Sequence, residues 1–230
     1  MNKLKELLQK YHFDLQDEKL KQLTDLMSFV LEKNEQLNLT TITDEMEFYI
    51  KHILDSLLAL KEIPDGSKVL DIGSGAGFPA LVLKIANPTL NFTLLDSVNK
   101  KVEFLNEAIK RLNLTEIIAI HSRIEDFAEK HIQTFDVCTS RAVAPLSTLL
   151  EYSLPFLKID GKMIAYKGPS LEEELQSCKN SLKILGGNTQ NIIELNIEDN
   201  KRTILIVKKE RNTPKGYPRG QNKPRIKPLN

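Results

Sequence analysis

The chain has 230 residues, 41% of them hydrophobic and 27% charged, with a net charge of +1. That length suits one domain, or one domain with an appendage, and a core that needs no disulfide or metal. No run reaches the roughly 18 apolar residues of a membrane span, and residues 1–10 lack the apolar centre of a signal peptide. Cys138 and Cys178 form no CxxC pair, and His12, His52, His121 and His131 show no metal-ligand spacing. A cytoplasmic protein with no metal site is the expectation.

The small net charge conceals an asymmetry. Residues 201–230 contain ten Lys/Arg and one acid, Glu210, whereas the rest holds 22 basic and 30 acidic side chains. A basic tail on an acidic body suits a polyanion-binding arm, or else a solvated tail that keeps the chain soluble.

In chain order, residues 1–63 read as a helical cap. Leu20, Leu23, Met27, Val30 and Leu31 recur at helical spacing, and a further helix is expected from Asp44, with acids in its first turn. Pro64-Asp65-Gly66 marks a turn, and residues 64–210 then alternate short apolar runs with helical patterns. Strands are expected at 69–72, 92–95, 116–120, 135–139 and 162–166. The intervening helices fall at 78–86, 100–112, after Arg123, near 146–157 and at 171–185. Repeated strand–helix units make an α/β, doubly wound, Rossmann-like sheet, mostly parallel. Residues 192–197 and 203–207 follow without a helix between them and suit an antiparallel edge hairpin. In the tail, 211–230, Pro214, Pro218, Pro224 and Pro228 argue against helix. The tail is either ordered against the body or disordered until it meets a partner.

The richest local signal is VLDIGSGAGFP over residues 69–79, at the first strand-to-helix turn, where doubly wound folds bind nucleotides. Gly73, Gly75 and Gly77 permit close approach of a ligand. A dinucleotide fingerprint would need glycine where Phe78 stands, so GxGxG with Asp71 before it resembles motif I of class I S-adenosylmethionine-dependent methyltransferases. Asp96, closing the second strand, suits an acceptor for two ribose hydroxyls. The segment Ser122-Arg-Ile-Glu-Asp126 occupies the loop that holds adenine in that fold. The same residues also read as a helix start capped by Ser122 with Glu125 three residues on.

Further segments resemble one family. They are Asn38-Leu-Thr40, His52-Ile-Leu-Asp-Ser-Leu57, Asp71 to Pro79, Leu95-Asp-Ser97, Ser140-Arg-Ala-Val-Ala144, Lys167-Gly168 and Tyr217-Pro-Arg219. Together they resemble the bacterial glucose-inhibited division protein B family, small-subunit ribosomal RNA guanine-N7 methyltransferases, over essentially the whole chain. Ala80 departs from the glycine more usual there. The resemblance implies methyl transfer from S-adenosylmethionine to N7 of one guanine of 16S ribosomal RNA, position 527 in the family, in the small subunit or an assembly intermediate. It implies cofactor contacts from Gly73, Phe78, Ile124, Glu125 and Arg141. Arg141 and Lys167, at strand ends, are also candidates for RNA phosphate or base contacts.

In the tail, Lys208, Lys209, Arg211, Lys215, Arg219, Lys223, Arg225 and Lys227 are expected to contact phosphates, and its removal is expected to spare cofactor binding. His52 and Asp55 share a helix face and read as a structural hydrogen-bonded pair. N7 has a free lone pair, so no general base is expected, and none is evident. Two alternatives remain at this point. One is a class I methyltransferase with a non-RNA substrate, the other a ribosome-binding assembly factor without turnover.

Overall fold

The computed structural model describes residues 2–168, 170–198 and 200–229. Helices α1 (Asn2–Lys10) and α2 (Asp17–Leu37) open the chain. Asp44 accepts from the Glu47 N–H and caps α3 (Glu45–Phe48). A π-helical segment, Tyr49–Leu54, and α4 (Asp55–Leu57) then continue the same rod. These helices pack their apolar faces, including Leu23, Phe29, Phe48 and Leu57, into one core with the first face of the sheet.

The sheet has seven strands in the order β3-β2-β1-β4-β5-β7-β6. They are β1 (Lys68–Ile72), β2 (Asn91–Asp96), β3 (Ile117–His121), β4 (Phe135–Arg141), β5 (Leu157–Lys167), β6 (Gly187–Ile197) and β7 (Asn200–Lys209). The first five are parallel. The inner strands β2, β1 and β4 are covered by helices on both sides, which is why they read as apolar runs, whereas edge strand β3 is partly exposed. Helices α5 (Ala80–Ala86) and α6 (Asn99–Arg111) share the face of the N-terminal helices. On the other face lie α7 (Ile124–His131), α8 (Leu146–Ser153), α9 (Leu171–Ser177) and α10 (Lys179–Leu185). Strand β7 runs antiparallel between β5 and β6. The chain reverses direction across the sheet between β1 and β4, which opens a crevice at their carboxyl ends.

Several boundaries differ from the sequence reading. The helix expected from residue 78 begins at Ala80, because Phe78 precedes a proline and is disfavoured as helix. The helix expected over 171–185 breaks at Cys178 into α9 and α10. The helix near 146–157 ends at Ser153, and Leu154–Phe156 forms a 3₁₀ turn around Pro155. Strand β6 begins five residues early, because one face is exposed and carries polar side chains that hide the pattern. Ser122 is not the cap of α7. Arg123 holds that position, and the Ser122 hydroxyl donates to the Arg123 carbonyl instead.

The tail is ordered against the body. Glu151 of α8 is fully buried, and its two oxygens accept from Arg219 Nε and Nη2 and from the Arg219 backbone N–H, at 2.7–3.1 Å. Thr148 donates to the Pro224 carbonyl at 2.9 Å, and Ser181 to that of Leu229. Against expectation, one helical turn forms here, α11 (Lys223–Ile226), with Pro224 in the first turn, where its missing N–H costs nothing. Two cations expected to meet phosphate do structural work instead. Arg219 neutralises Glu151, and Lys209 is fully buried, donating to the Leu154 and Leu185 carbonyls.

Removing Arg219 leaves a buried carboxylate uncompensated. Arg219→Ala is expected to cost about 3–5 kcal/mol of stability, read from urea unfolding. A loss below about 0.5 kcal/mol would mean that the tail is not anchored this way.

Candidate active site

Two hollows flank the loop that follows β4. The first, of about 290 Å3, opens at the β1 and β2 ends, and Gly73, Asp96, Ile124 and Glu125 line it. The Gly73 and Ser74 N–H groups donate to the Leu95 carbonyl, which bends the chain tightly over the end of β2. Gly73, Gly75 and Gly77 all have positive φ. Their roles differ. A Cβ on Gly73 would come within 2.6 Å of Val143, and one on Gly77 within 2.3 Å of Leu81 in α5. At Gly75 it would meet nothing nearer than 3.8 Å, so space is open beside that turn.

Asp96 Oδ2 accepts from the Gly75 N–H at 2.8 Å, and Oδ1 from the Val98 N–H at 2.9 Å. The carboxylate is thereby aimed, and each oxygen keeps a lone pair for one of two neighbouring hydroxyls. The first amides of α7, at Ile124 and Glu125, have no intrahelical acceptor and suit the edge of a heterocycle. This donor set fits the ribose and adenine of S-adenosylmethionine.

Asp71 lies beneath the turn, fully enclosed. Its Oδ1 accepts from Thr139 at 2.6 Å, while Oδ2 has no partner among the described residues. Burial pushes its carboxyl up to about 6, against the opposing pull of the Thr139 hydroxyl.

The second hollow, of about 280 Å3, lies between the β4 loop and the ends of β5 and β7. Arg141, Lys167, Glu174 and Arg202 line it. Lys167 donates to Glu174 at 2.7 Å, and Glu174 also accepts from the Leu146 N–H at 2.6 Å.

Arg141 joins the β4 end to the helical cap. Its Nη1 donates to the Lys51 carbonyl and to Asp55, at 2.9 and 3.0 Å, and its Nη2 to His52 Nδ1 at 3.0 Å. The guanidinium carbon lies 5.4 Å from the centre of the Phe78 ring, which stacks on His52 at 4.5 Å. Because Arg141 only donates, His52 carries its proton on Nε2 and gives it to Thr40 Oγ1 at 2.8 Å. Burial, with the Arg141 charge second, lowers His52 to about 3, so it is neutral. Against expectation, the side chains of His52 and Asp55 are not bonded to each other among the described residues; each instead meets Arg141, and Asp55 also pairs with Arg202 at 3.1 Å.

Of the cofactor candidates, Gly73, Asp96, Ile124 and Glu125 line the first hollow, and Gly75 borders it through Asp96. Gly77 packs on α5, and Phe78 is buried against the cap with Arg141. Two lining residues, Asn222 and Arg225, come from the tail. The sequence suggested a phosphate-binding arm, a solvated tail or a segment ordered against the body, and no local signal in it indicated a wall of this hollow.

The raised Asp71 group has a consequence for stability. Its folded value exceeds the ordinary 3.8, so the contribution is full below about pH 4 and is lost as pH rises through about 6. Asp71→Asn is therefore expected to gain on the wild type across that window, by up to about 3 kcal/mol. Urea midpoints at pH 4.5 and 7.5 check this; a constant difference between the two proteins would contradict it.

The family model for GidB, rRNA small subunit methyltransferase G, matches residues 19–205. A ribosomal RNA small subunit methyltransferase G from Desulforamulus reducens is 43% identical over 232 residues, covering 98% of this chain and 97% of that one. The one from Clostridium beijerinckii is 46% identical over 211 residues, covering 89% and 88%. Among solved structures, the YcgJ protein of a Bacillus has a TM-score of 0.56 at 15% identity, covering 70% of this chain and 100% of that one. MtNAS, in a mutant complex with S-adenosylmethionine, has 0.57 at 15% identity, covering 83% and 73%. At that identity the two structures speak for the class I methyltransferase fold alone. The sequence matches reach further, and by them the chain belongs to the GidB family, rRNA small subunit methyltransferase G.

Proposed function

We propose that this chain transfers a methyl group from S-adenosylmethionine to N7 of a guanine in 16S ribosomal RNA. The observation that carries the reading is the pair of hollows on either side of residues 140–144. One presents a diol acceptor at Asp96 and free amides at Ile124 and Glu125, the other cations and a carboxylate. Family membership supplies the substrate class.

When bound, the cofactor supplies an electrophilic methyl group on sulfur. The chain's residues bind and align. Asp96 holds the ribose, and the first turn of α7 holds the adenine edge. In the second hollow, recognition must leave N7 free to react, so it falls on the other edges of guanine. Glu174 suits the N1 and N2 donors, and Lys167 and Arg202 suit O6 or a phosphate. Arg141 has five N–H donors, of which three are used by the cap, so two remain for the methionine end or for RNA. Nothing here needs to remove a proton, because neutral guanine already offers the N7 lone pair. Catalysis is alignment, with fixed charges placed where positive charge arrives on the base.

Lys215, Lys223 and Lys227 are exposed and suit phosphate contacts beside the site. So small a recognition surface relies on the folded RNA for selection, which favours the small subunit or a late assembly intermediate in the cytoplasm. None of the described helices is long and apolar enough to cross a membrane.

The test is incubation with labelled S-adenosylmethionine and small subunits that lack the modification. Label is expected in 16S RNA, at a site where N7-methylguanine chemistry cleaves the strand. Label in protein would reject the substrate class, and no label would favour an assembly factor. Lys167→Ala is expected to lower kcat/KM for RNA by about ten- to a hundredfold, the worth of a charged hydrogen bond, with cofactor affinity unchanged.

A further inference from the structure

The first hollow has a wall that neither the glycine turn nor the family pattern accounts for. Besides Ile124 and Glu125, it is lined by Tyr152, Asn222 and Arg225. The last two belong to the tail, more than 120 positions beyond the glycine turn in sequence. Their position is fixed from both sides. Upstream, Arg219 is clamped on the buried Glu151 carboxylate by three side-chain contacts of 2.7–3.1 Å. Within the turn, the Pro224 carbonyl accepts from Thr148, and Pro224 itself is buried. Downstream, the Leu229 carbonyl accepts from Ser181. Gln221 and Asn222 both adopt left-handed φ of 58°. That conformation costs a residue with a Cβ about 1–2 kcal/mol, so the surrounding contacts hold it.

Arg225 is exposed, makes no ion pair among the described residues, and reaches across the hollow. Its Nη2 donates to the Val143 carbonyl at 3.4 Å, and it lines the hollow together with Tyr152. Val143 is the residue that a Cβ on Gly73 would strike. Tyr152, Glu125 and Arg225 line the same hollow, and Glu125 stands in the first turn of α7, whose amides have no intrahelical acceptor. A planar guanidinium stacks readily on the flat face of a purine, as a compact ammonium does not.

We propose that Arg225, carried on the anchored C-terminal strap, forms one face of the adenine subsite. The tail is then part of the cofactor site as well as a basic surface. This rests on the cofactor occupying the hollow above Asp96. It replaces the expectation that removal of residues 211–230 leaves cofactor binding intact.

The test is calorimetric titration of the full chain with S-adenosylmethionine and with its demethylated product, S-adenosylhomocysteine. Because Arg225 is exposed, Arg225→Ala should fold, and thermal unfolding verifies that. The variant is expected to lose about three- to thirtyfold in affinity for both ligands alike, the worth of a cation over an aromatic ring. Arg225→Lys keeps the charge but not the plane, and is expected to lie between. Glu151→Gln, which loosens the strap without touching the ligand, is expected to weaken both ligands in the same direction.

Unchanged affinity in Arg225→Ala, with weaker RNA binding, would make Arg225 a phosphate contact and overturn the inference. A loss for S-adenosylmethionine alone would place Arg225 near the sulfonium, and would also overturn it. Asp96→Asn separates the two levels. If it weakens both ligands while Arg225→Ala does not, only the strap's role fails. If neither variant matters, the cofactor lies elsewhere, and the reading of the hollow fails with it.

Discussion

The Arg141 guanidinium is the contact on which the geometry of the site depends. It ends β4, yet its partners are the Lys51 carbonyl, His52 and Asp55 on the N-terminal helices, and its face lies over Phe78 from the glycine turn. Three segments far apart in the chain therefore converge on one partly buried cation. A cation in such a place persists only while its partners remain, since each lost contact leaves charge without compensation. The π-helical segment contributes directly, because a widened turn offers a carbonyl to an outside donor. His52 contributes by staying neutral, so that Nδ1 can accept. The helical cap is thus tied to the end of β4 and, through Phe78, to the glycine turn beside the first hollow.

From that junction the division of labour follows. Residues 140–144 run between two hollows, and Val143 faces one while Ala142 and Ala144 face the other. Val143 also closes against Gly73, so the loop after β4 and the turn after β1 set each other's position. Asp96 is aimed by two backbone amides, which commits its remaining lone pairs before any ligand arrives. The titratable groups nearby serve as scaffolding. Neutral His52 supports Arg141, and Asp71 supports the strand beneath the turn. A reaction whose nucleophile is a ready lone pair needs no more than this.

The strand–helix alternation, the glycine turn and the acid that closes β2 were legible in the sequence because each depends on local chemistry. Apolar runs mark buried parallel strands, and clustered glycines mark a turn with positive φ. Long-range pairing leaves no such trace. Glu151 and Arg219 are 68 positions apart, and nothing near either one reveals the other. Lys209 sits in a basic run and reads as a surface cation, but it is consumed by carbonyls at the ends of two helical segments. The π-helical turn was invisible for a similar reason, since residues 45–57 carry an ordinary helical pattern. Thr40 is an intermediate case. It stood out as part of a family motif, and only the structure shows that it holds His52.

The most direct measurement is a crystal structure of the full chain with S-adenosylhomocysteine. The expected result has both ribose hydroxyls on Asp96 while its bonds to the Gly75 and Val98 amides persist. Arg141 is expected to remain on Asp55 and the Lys51 carbonyl. A ligand bound away from Asp96, or an Arg141 that leaves the cap to reach it, would contradict the account.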